Sequence, residues 1–157
     1  MIADFKANMA RGKTVILGIG NVLLGDEGVG VHVIQEMSNM DLPNGVELVD
    51  GGTSTMDFLL YMEGAEKLII IDAFKGGQKP GTIYRCTPED LMAKEQRLMS
   101  LHDVGPIQTF RIAKILGYQT TIVIIGVEPE AIDWGMELSP KIKERMTQIV
   151  HAVLKEV

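Results

Sequence analysis

The chain has 157 residues, of which 46% are hydrophobic and 23% charged, so it can form one folded domain with a substantial core. Its net charge of −6, without a basic stripe, argues against nucleic acid and anionic membranes as partners. Cys86 is the only cysteine, which excludes an intramolecular disulfide and makes the cytoplasm the expected compartment. The first residues lack the apolar stretch of a secretion signal, and no apolar run approaches the ~18 residues of a membrane span.

Short apolar runs of strand length alternate with helical patterns, which predicts a three-layer α/β domain. No repeat or linker divides the chain, so we expect a single domain over residues 1–157, with 1–12 as a loosely held N-terminal extension. The fifth predicted strand is continuously apolar, which favours a central position. The predicted strands are 14–19, 46–49, 67–71, 82–86 and 120–125, and the predicted helices lie around 29–37, 56–62, 88–99, 107–116 and 140–157.

The connection between the third and fourth predicted strands is too short for a helical crossover. Only the nine residues AFKGGQKPG separate Asp72 from Thr82, whereas a parallel connection needs about a dozen residues or more. We therefore expect the fourth strand to run antiparallel and to lie near an edge of the sheet.

Three acidic residues and one histidine lie where the chain is expected to turn from the buried core to the surface. Glu27 lies in GDEGVG, Asp50 in ELVDGG, Asp72 in LIIIDA and His102 in MSLHD. Each carboxylate follows a β-type apolar run, and the carboxyl ends of parallel strands share one edge of a sheet. We therefore expect these residues to face one crevice. Oxygen donors with an imidazole suit a divalent metal ion or the activation of water.

Each of these residues also has a structural explanation. Asp26 and Glu27 fit the first turn of a helix, and because Asp is the preferred N-cap, capping suits Asp26 better. Asp72 and Asp50 fit turns that follow buried strands. A lone histidine such as His102 is usually a packed or solvent-exposed residue. The pattern alone therefore leaves both interpretations open.

The remaining candidates are weaker. His151 falls opposite the apolar face of the last predicted helix, and His32 lies inside the first helix beyond its first turn. Cys86 has no nearby histidine, so packing explains it better than nucleophilic chemistry. The segment GIGNVLLGDEGVG has the glycines of a nucleotide-binding turn, but its two acidic residues would stand beside a phosphate and no Walker lysine follows.

Five sequence blocks, taken together and in order, closely resemble the nickel-iron hydrogenase maturation endopeptidase family. The blocks are GIGNVLLGDEGVG, VDGGT, LIIIDAFKGGQKPGTI, SLHDVG and IGVEP, and the resemblance covers residues 14–157. The resemblance implies a five-stranded mixed sheet in the order 2-1-3-5-4, with strand 4 antiparallel and helices on both faces.

The resemblance also implies an aspartyl-type endopeptidase that removes a short C-terminal extension from the hydrogenase large-subunit precursor after nickel has entered that subunit. Glu27, Asp72 and His102 match the family's metal-contacting positions, and Asp50 matches a position implicated in substrate recognition. The substrate would carry the nickel, and no organic cofactor is implied. The alternative is a nickel-carrying scaffold protein, which would use the same ligands without proteolysis. The 74–81 loop is a candidate for contact with the precursor, although a plain surface connection explains it better.

Overall fold

The computed structural model describes residues 12–54, 58–93 and 104–157. Five strands form its centre: β1 (Lys13–Ile19), β2 (Val46–Gly52), β3 (Ala65–Ala73), β4 (Ile83–Cys86) and β5 (Thr121–Val127). They make one sheet in the order β2-β1-β3-β5-β4. This confirms the strand order that the family resemblance implies.

Helices cover both faces of the sheet, which confirms the predicted three-layer α/β/α architecture. A 310 helix, Gly25–Gly28, leads directly into the first α-helix. One face carries α1 (Val29–Met37) and α5 (Pro140–Leu154), and the other carries α2 (Phe58–Met62), α3 (Pro88–Ala93) and α4 (Val104–Ile115).

The strand directions bring four carboxyl ends to one edge of the sheet. β1 pairs in parallel with β2 and β3, and β3 pairs in parallel with β5. β4 runs antiparallel to β5 at the outer edge, with Ile83 opposite Val127, which confirms the direction predicted from the short loop. β5 lies between β3 and β4 and so has a strand on each side, which agrees with the position inside the sheet that its continuously apolar sequence predicted.

Alternation of side chains along the strands divides the interior into two cores. In β3, Ile69 and Ile71 face α1 and α5, while Leu68 and Ile70 face α2 and α4. None of these four side chains is more than 2% exposed. Burial of a large aliphatic side chain contributes about 1.5–3 kcal/mol, so the central strand anchors both helical layers.

Several element boundaries differ from those predicted. β2 and β3 continue past their predicted ends, because backbone pairing with β1 and β5 persists there, so Asp50 and Asp72 lie within the strands. α4 begins at Val104, earlier than predicted, and α5 ends at Leu154, before the predicted end. Residues 94–99 of the predicted third helix lie outside the described residues.

The N-terminal extension predicted for residues 1–12 also lies outside the described residues, except for Gly12. Within the ranges that the structure describes, no helix combines the length and the apolar character needed to cross a membrane.

Candidate functional site

The glycine-rich segment after β1 folds back tightly onto the ends of the strands. A Cβ atom at Gly20 would overlap the carbonyl oxygen of Glu27, and one at Gly30 would overlap the carbonyl oxygens of Ile19 and Ile71. Glycine is therefore required for the close backbone contact between this segment and the sheet. These contacts with the protein's own backbone account for both glycines without a nucleotide.

Asp26 is buried, with only 1% of its surface exposed. One carboxylate oxygen accepts hydrogen bonds from the backbone N–H groups of Glu130 and Ala131 and from the hydroxyl of Ser139. The other oxygen accepts a hydrogen bond from the N–H of Ser139, and all four bonds are 2.7–2.9 Å long. The residue that precedes α1 is Gly28, without a side-chain cap. Capping, the structural explanation left open for Asp26, is therefore wrong, because its carboxylate turns inward and holds the 130–139 segment.

Glu27 follows Asp26 in the same 310 helix but is only partly buried. This helix lies against β3, and Gly30 lies directly over the carbonyl of Ile71, the residue before Asp72. Glu27 and Asp72 therefore lie on adjoining elements at the carboxyl edge of the sheet. No hydrogen bond joins the Glu27 carboxylate to another residue of the described ranges.

Asp72 is the second-to-last residue of β3 and pairs in register with Gly126 of β5. Its Oδ1 atom accepts a hydrogen bond from the N–H of Ala73 at 2.8 Å. By alternation it leaves the same face of the sheet as Ile70, and it borders an apolar pocket. The aromatic rings that line this pocket belong to Phe58, Phe74 and Phe110. Asp72 therefore stands where the polar edge of the sheet meets an apolar pocket.

Asp50 lies at the same edge, on the far side of β1 from Asp72. It pairs in register with Gly18, and by alternation it faces the α1 side of the sheet, opposite the face that carries Asp72. Neighbouring strands lie about 4.8 Å apart, so the backbones of β2 and β3 are separated by roughly 10 Å. Asp50 is exposed, and its Oδ1 accepts a hydrogen bond from the N–H of Gly52 at 2.9 Å. This local hydrogen bond lies within the last residues of β2, where the pairing with β1 shifts register.

His102 lies outside the described residues, so the structure describes the three carboxylates of the predicted site but not its imidazole. Within the described ranges, no group of three or more His, Cys, Asp or Glu side chains could hold a metal ion. His32 lines a groove that also includes residues of α5, and its buried Nε2 atom has no hydrogen-bond partner in the described structure. His151 is exposed on α5, as its position opposite the apolar face predicted.

A second buried carboxylate, Glu128, directly follows β5 at the same edge. It accepts hydrogen bonds from the N–H of Gly76 at 2.7 Å, the N–H of Gly77 at 3.3 Å and the hydroxyl of Tyr84 at 2.6 Å. The pKa of Tyr84 is raised to about 12, chiefly by burial and secondly by this hydrogen bond to Glu128. Glu128 therefore fixes the 74–81 loop against β4 and the end of β5.

The structural roles of Asp26 and Glu128 were missed by sequence reasoning. Glu128 carried a usable signal, because it follows a continuously apolar strand in the same way as Asp72. Asp26 carried none, because its partner Glu130 lies 104 residues further along the chain.

The arrangement leaves two partly accessible carboxylates, Glu27 and Asp72, between loops that are held by buried carboxylates. A carboxylate at such an edge can coordinate a divalent ion or accept a proton from water. Sites rich in oxygen donors hold late first-row metals less tightly than sites with more nitrogen or sulfur. The described donor set therefore suits transient contact with such an ion.

Known proteins with related sequences and structures agree with this architecture. The hydrogenase maturation protease (HycI) family matches residues 31–156, a range that includes Asp50, Asp72 and His102 and begins after Glu27. The hydrogenase expression/formation protein HupD of Rhodobacter capsulatus is 35% identical, over 92% of this chain and 71% of its own length. The hydrogenase 2 maturation protease of Escherichia coli (strain K12) is 30% identical, over 90% of this chain and 88% of its own length.

A solved structure shows the same fold. The hydrogenase maturating endopeptidase HybD from Escherichia coli matches with a TM-score of 0.82 and 29% identity, covering 92% of this chain and 91% of the HybD chain. The likeness therefore extends over most of both chains. The chain belongs to the hydrogenase maturation protease family, and its enzyme class is that of an endopeptidase.

Proposed function

We propose that this protease removes the C-terminal extension of the nickel-iron hydrogenase large-subunit precursor after nickel has been inserted. The observation that carries the proposal is the placement of Glu27 and Asp72 on adjoining elements at the open carboxyl edge of the sheet. The family membership of the chain supports a substrate from hydrogenase maturation.

In this proposal, Glu27, Asp72 and His102 approach the nickel ion that the precursor carries in its own site. Carboxylate oxygens and one imidazole can add to the coordination of a divalent ion. An ion held mainly by the substrate needs only weak contacts from the enzyme, which agrees with the oxygen-rich donor set. The nickel then positions the precursor on the enzyme, and no organic cofactor takes part.

Hydrolysis of the peptide bond requires an activated water molecule. Glu27 or Asp72 accepts a proton from water as the water oxygen adds to the carbonyl carbon. The proton then passes to the nitrogen, which leaves as an amine when the C–N bond breaks. A nearby divalent ion supplies Lewis-acid chemistry that stabilises the developing negative charge on the carbonyl oxygen.

Asp50 is proposed to contact the precursor rather than the scissile bond. It is exposed and lies across β1 from Asp72, so a polypeptide bound along this edge would pass both residues. A nickel-free precursor lacks the positive charge that the carboxylates face. Its docking would leave these carboxylates without a positively charged partner, which weakens binding. Cleavage thereby acts as a checkpoint for nickel insertion.

We further propose that the protein works in the cytoplasm, with the precursor as its macromolecular partner. Neither nucleic acid nor a membrane surface is needed for this activity, and the net charge of −6 disfavours binding to either of these polyanionic surfaces.

The test is mass spectrometry of purified large-subunit precursor, nickel-loaded and nickel-free, after incubation with this protein. We expect loss of one defined C-terminal peptide from the loaded form only. Equal cleavage of both forms would contradict the nickel checkpoint. No cleavage of several precursors, combined with tight retention of nickel by this protein, would favour the nickel-carrying scaffold instead.

A further inference from the structure

An exposed apolar patch lies beside the 310 helix and has no role in the chemistry above. Two loop segments pair here: the N–H of Gly25 donates to the carbonyl of Gly135, and the N–H of Gly135 donates to the carbonyl of Leu23, both at 2.9 Å. In this pairing Leu24 lies opposite Gly135, so Leu23, Trp134 and Met136 are the immediate chain neighbours of the two paired residues. They are 47%, 84% and 67% exposed, respectively. These three residues are the apolar patch.

Asp26 fixes the apolar patch relative to Glu27. Its buried carboxylate binds the N–H groups of Glu130 and Ala131 on one side of Trp134, and Ser139 on the other side. Glu27 is the next residue of the same 310 helix. A protein that binds the patch is therefore held at a defined position relative to the candidate catalytic carboxylate.

Exposed apolar side chains grouped in this way mark surfaces that bind other proteins. Tryptophan and methionine are enriched in the centres of such interfaces, and tryptophan often contributes the largest share of the binding energy. Trp134 is the only tryptophan of the chain and is almost fully exposed. The hydrogen bonds of Asp26 hold the backbone of its segment at both ends, so less backbone order has to be gained on binding.

We infer that the apolar patch is the surface on which the folded large-subunit precursor docks, an inference that rests on the proposed function. The precursor is favoured over a second copy of this chain because of charge. Glu130, Asp133 and Glu137 are exposed in the same segment as Trp134, and only Glu137 forms an ion pair, with Lys143, among the described residues. Two copies would therefore bring like charges together, whereas a partner with basic residues around an apolar centre would match.

The test compares Trp134→Ser with Ile115→Ser in the full-length protein. Ile115 is 83% exposed on α4, on the other face of the sheet, so its variant removes an apolar side chain of the same fractional exposure elsewhere. For each protein, the dissociation constant for nickel-loaded precursor is measured by biolayer interferometry, and the KM and kcat of processing are measured by mass spectrometry. Circular dichroism checks that both variants are folded.

We expect Trp134→Ser to raise the dissociation constant and KM about thirtyfold, with a much smaller effect on kcat. Ile115→Ser should match the wild type. Equal binding by Trp134→Ser and the wild type, or an equal loss in Ile115→Ser, would overturn the inference. A wild-type dimer that Trp134→Ser dissociates in analytical ultracentrifugation, with precursor binding unchanged, would assign the patch to self-association. Binding that depends on Trp134 without any cleavage would uphold the patch and reject the proposed protease reaction.

Discussion

Asp26 and Glu27 are adjacent residues of one 310 helix with opposite surroundings. The Asp26 carboxylate is buried and accepts four hydrogen bonds, which uses the full acceptor capacity of a carboxylate. Glu27 is partly exposed, and its carboxylate has no hydrogen-bond partner among the described residues. The comparison separates a carboxylate that holds the site together from one that can meet a substrate, although their local sequence context is the same.

Glu27→Gln is the strongest test of the difference in role between Glu27 and Asp26. This change should slow processing of nickel-loaded precursor by roughly a hundredfold to ten-thousandfold, because the amide cannot accept a proton from water and lacks negative charge. The free energy of unfolding should change by less than about 0.5 kcal/mol, since no described residue depends on this carboxylate. Mass spectrometry of the precursor and urea denaturation measure the two effects.

Glu63→Gln is the matched control for Glu27→Gln. Glu63 is exposed and lies just before β3, at the end of the strand opposite Asp72. Its variant should process precursor at the wild-type rate. If Glu27→Gln also kept the wild-type rate, Glu27 would have no part in the reaction. Asp26 and Glu27 would then differ in burial but not in catalytic role.

Asp26→Asn should show the reverse pattern, with a large loss of stability. An asparagine side chain keeps one acceptor oxygen but directs an N–H₂ group at neighbours that are themselves donors, so buried N–H groups lose their partners. We expect the free energy of unfolding in urea to fall by about 3 kcal/mol. Asp133→Asn, an exposed change in the same segment, is the control and should stay within about 0.5 kcal/mol of the wild type. A wild-type stability for Asp26→Asn would show that its four hydrogen bonds do not hold the 130–139 segment.

Much of the fold could be predicted from the sequence, because its determinants are local. The alternation of apolar runs with helical patterns indicated the three layers, and the short loop after Asp72 required β4 to run antiparallel. The ends of β2 and β3 could not be predicted, because Asp50 and Asp72 stay in the strands through pairing with neighbouring strands. Such pairing depends on residues that are distant along the chain.

The candidate site could be predicted at the level of the sheet edge but not at the level of side-chain environment. Strand direction alone indicated that Glu27, Asp50 and Asp72 share one edge. Asp50 and Asp72 face opposite sides of the sheet because of the strand register: Gly18 of β1 pairs with Asp50 on one side but with Ile71, the residue before Asp72, on the other. The position of His102 relative to these carboxylates remains a prediction, since it lies outside the described residues.

Glu128 extends the comparison between Asp26 and Glu27 to the other side of the edge. Like Asp26, it is buried and binds backbone N–H groups of a loop, here at Gly76 and Gly77. Unlike Asp26, it also binds a titratable group, the hydroxyl of Tyr84. The stability of this side of the site should therefore depend on alkaline pH.

Tyr84→Phe removes this hydroxyl and should lower the free energy of unfolding by about 1 kcal/mol at pH 8. Burial and the Glu128 hydrogen bond raise the pKa of Tyr84 from 10.0 to about 12 in the folded protein. The folded state therefore keeps a proton that the unfolded state loses, and stability falls as the pH rises through this interval. The advantage of the wild type over Tyr84→Phe should accordingly shrink between pH 10 and 12. Urea denaturation across this range measures the difference, with the exposed Tyr118→Phe as control. A constant difference would mean that folding does not raise the pKa of Tyr84.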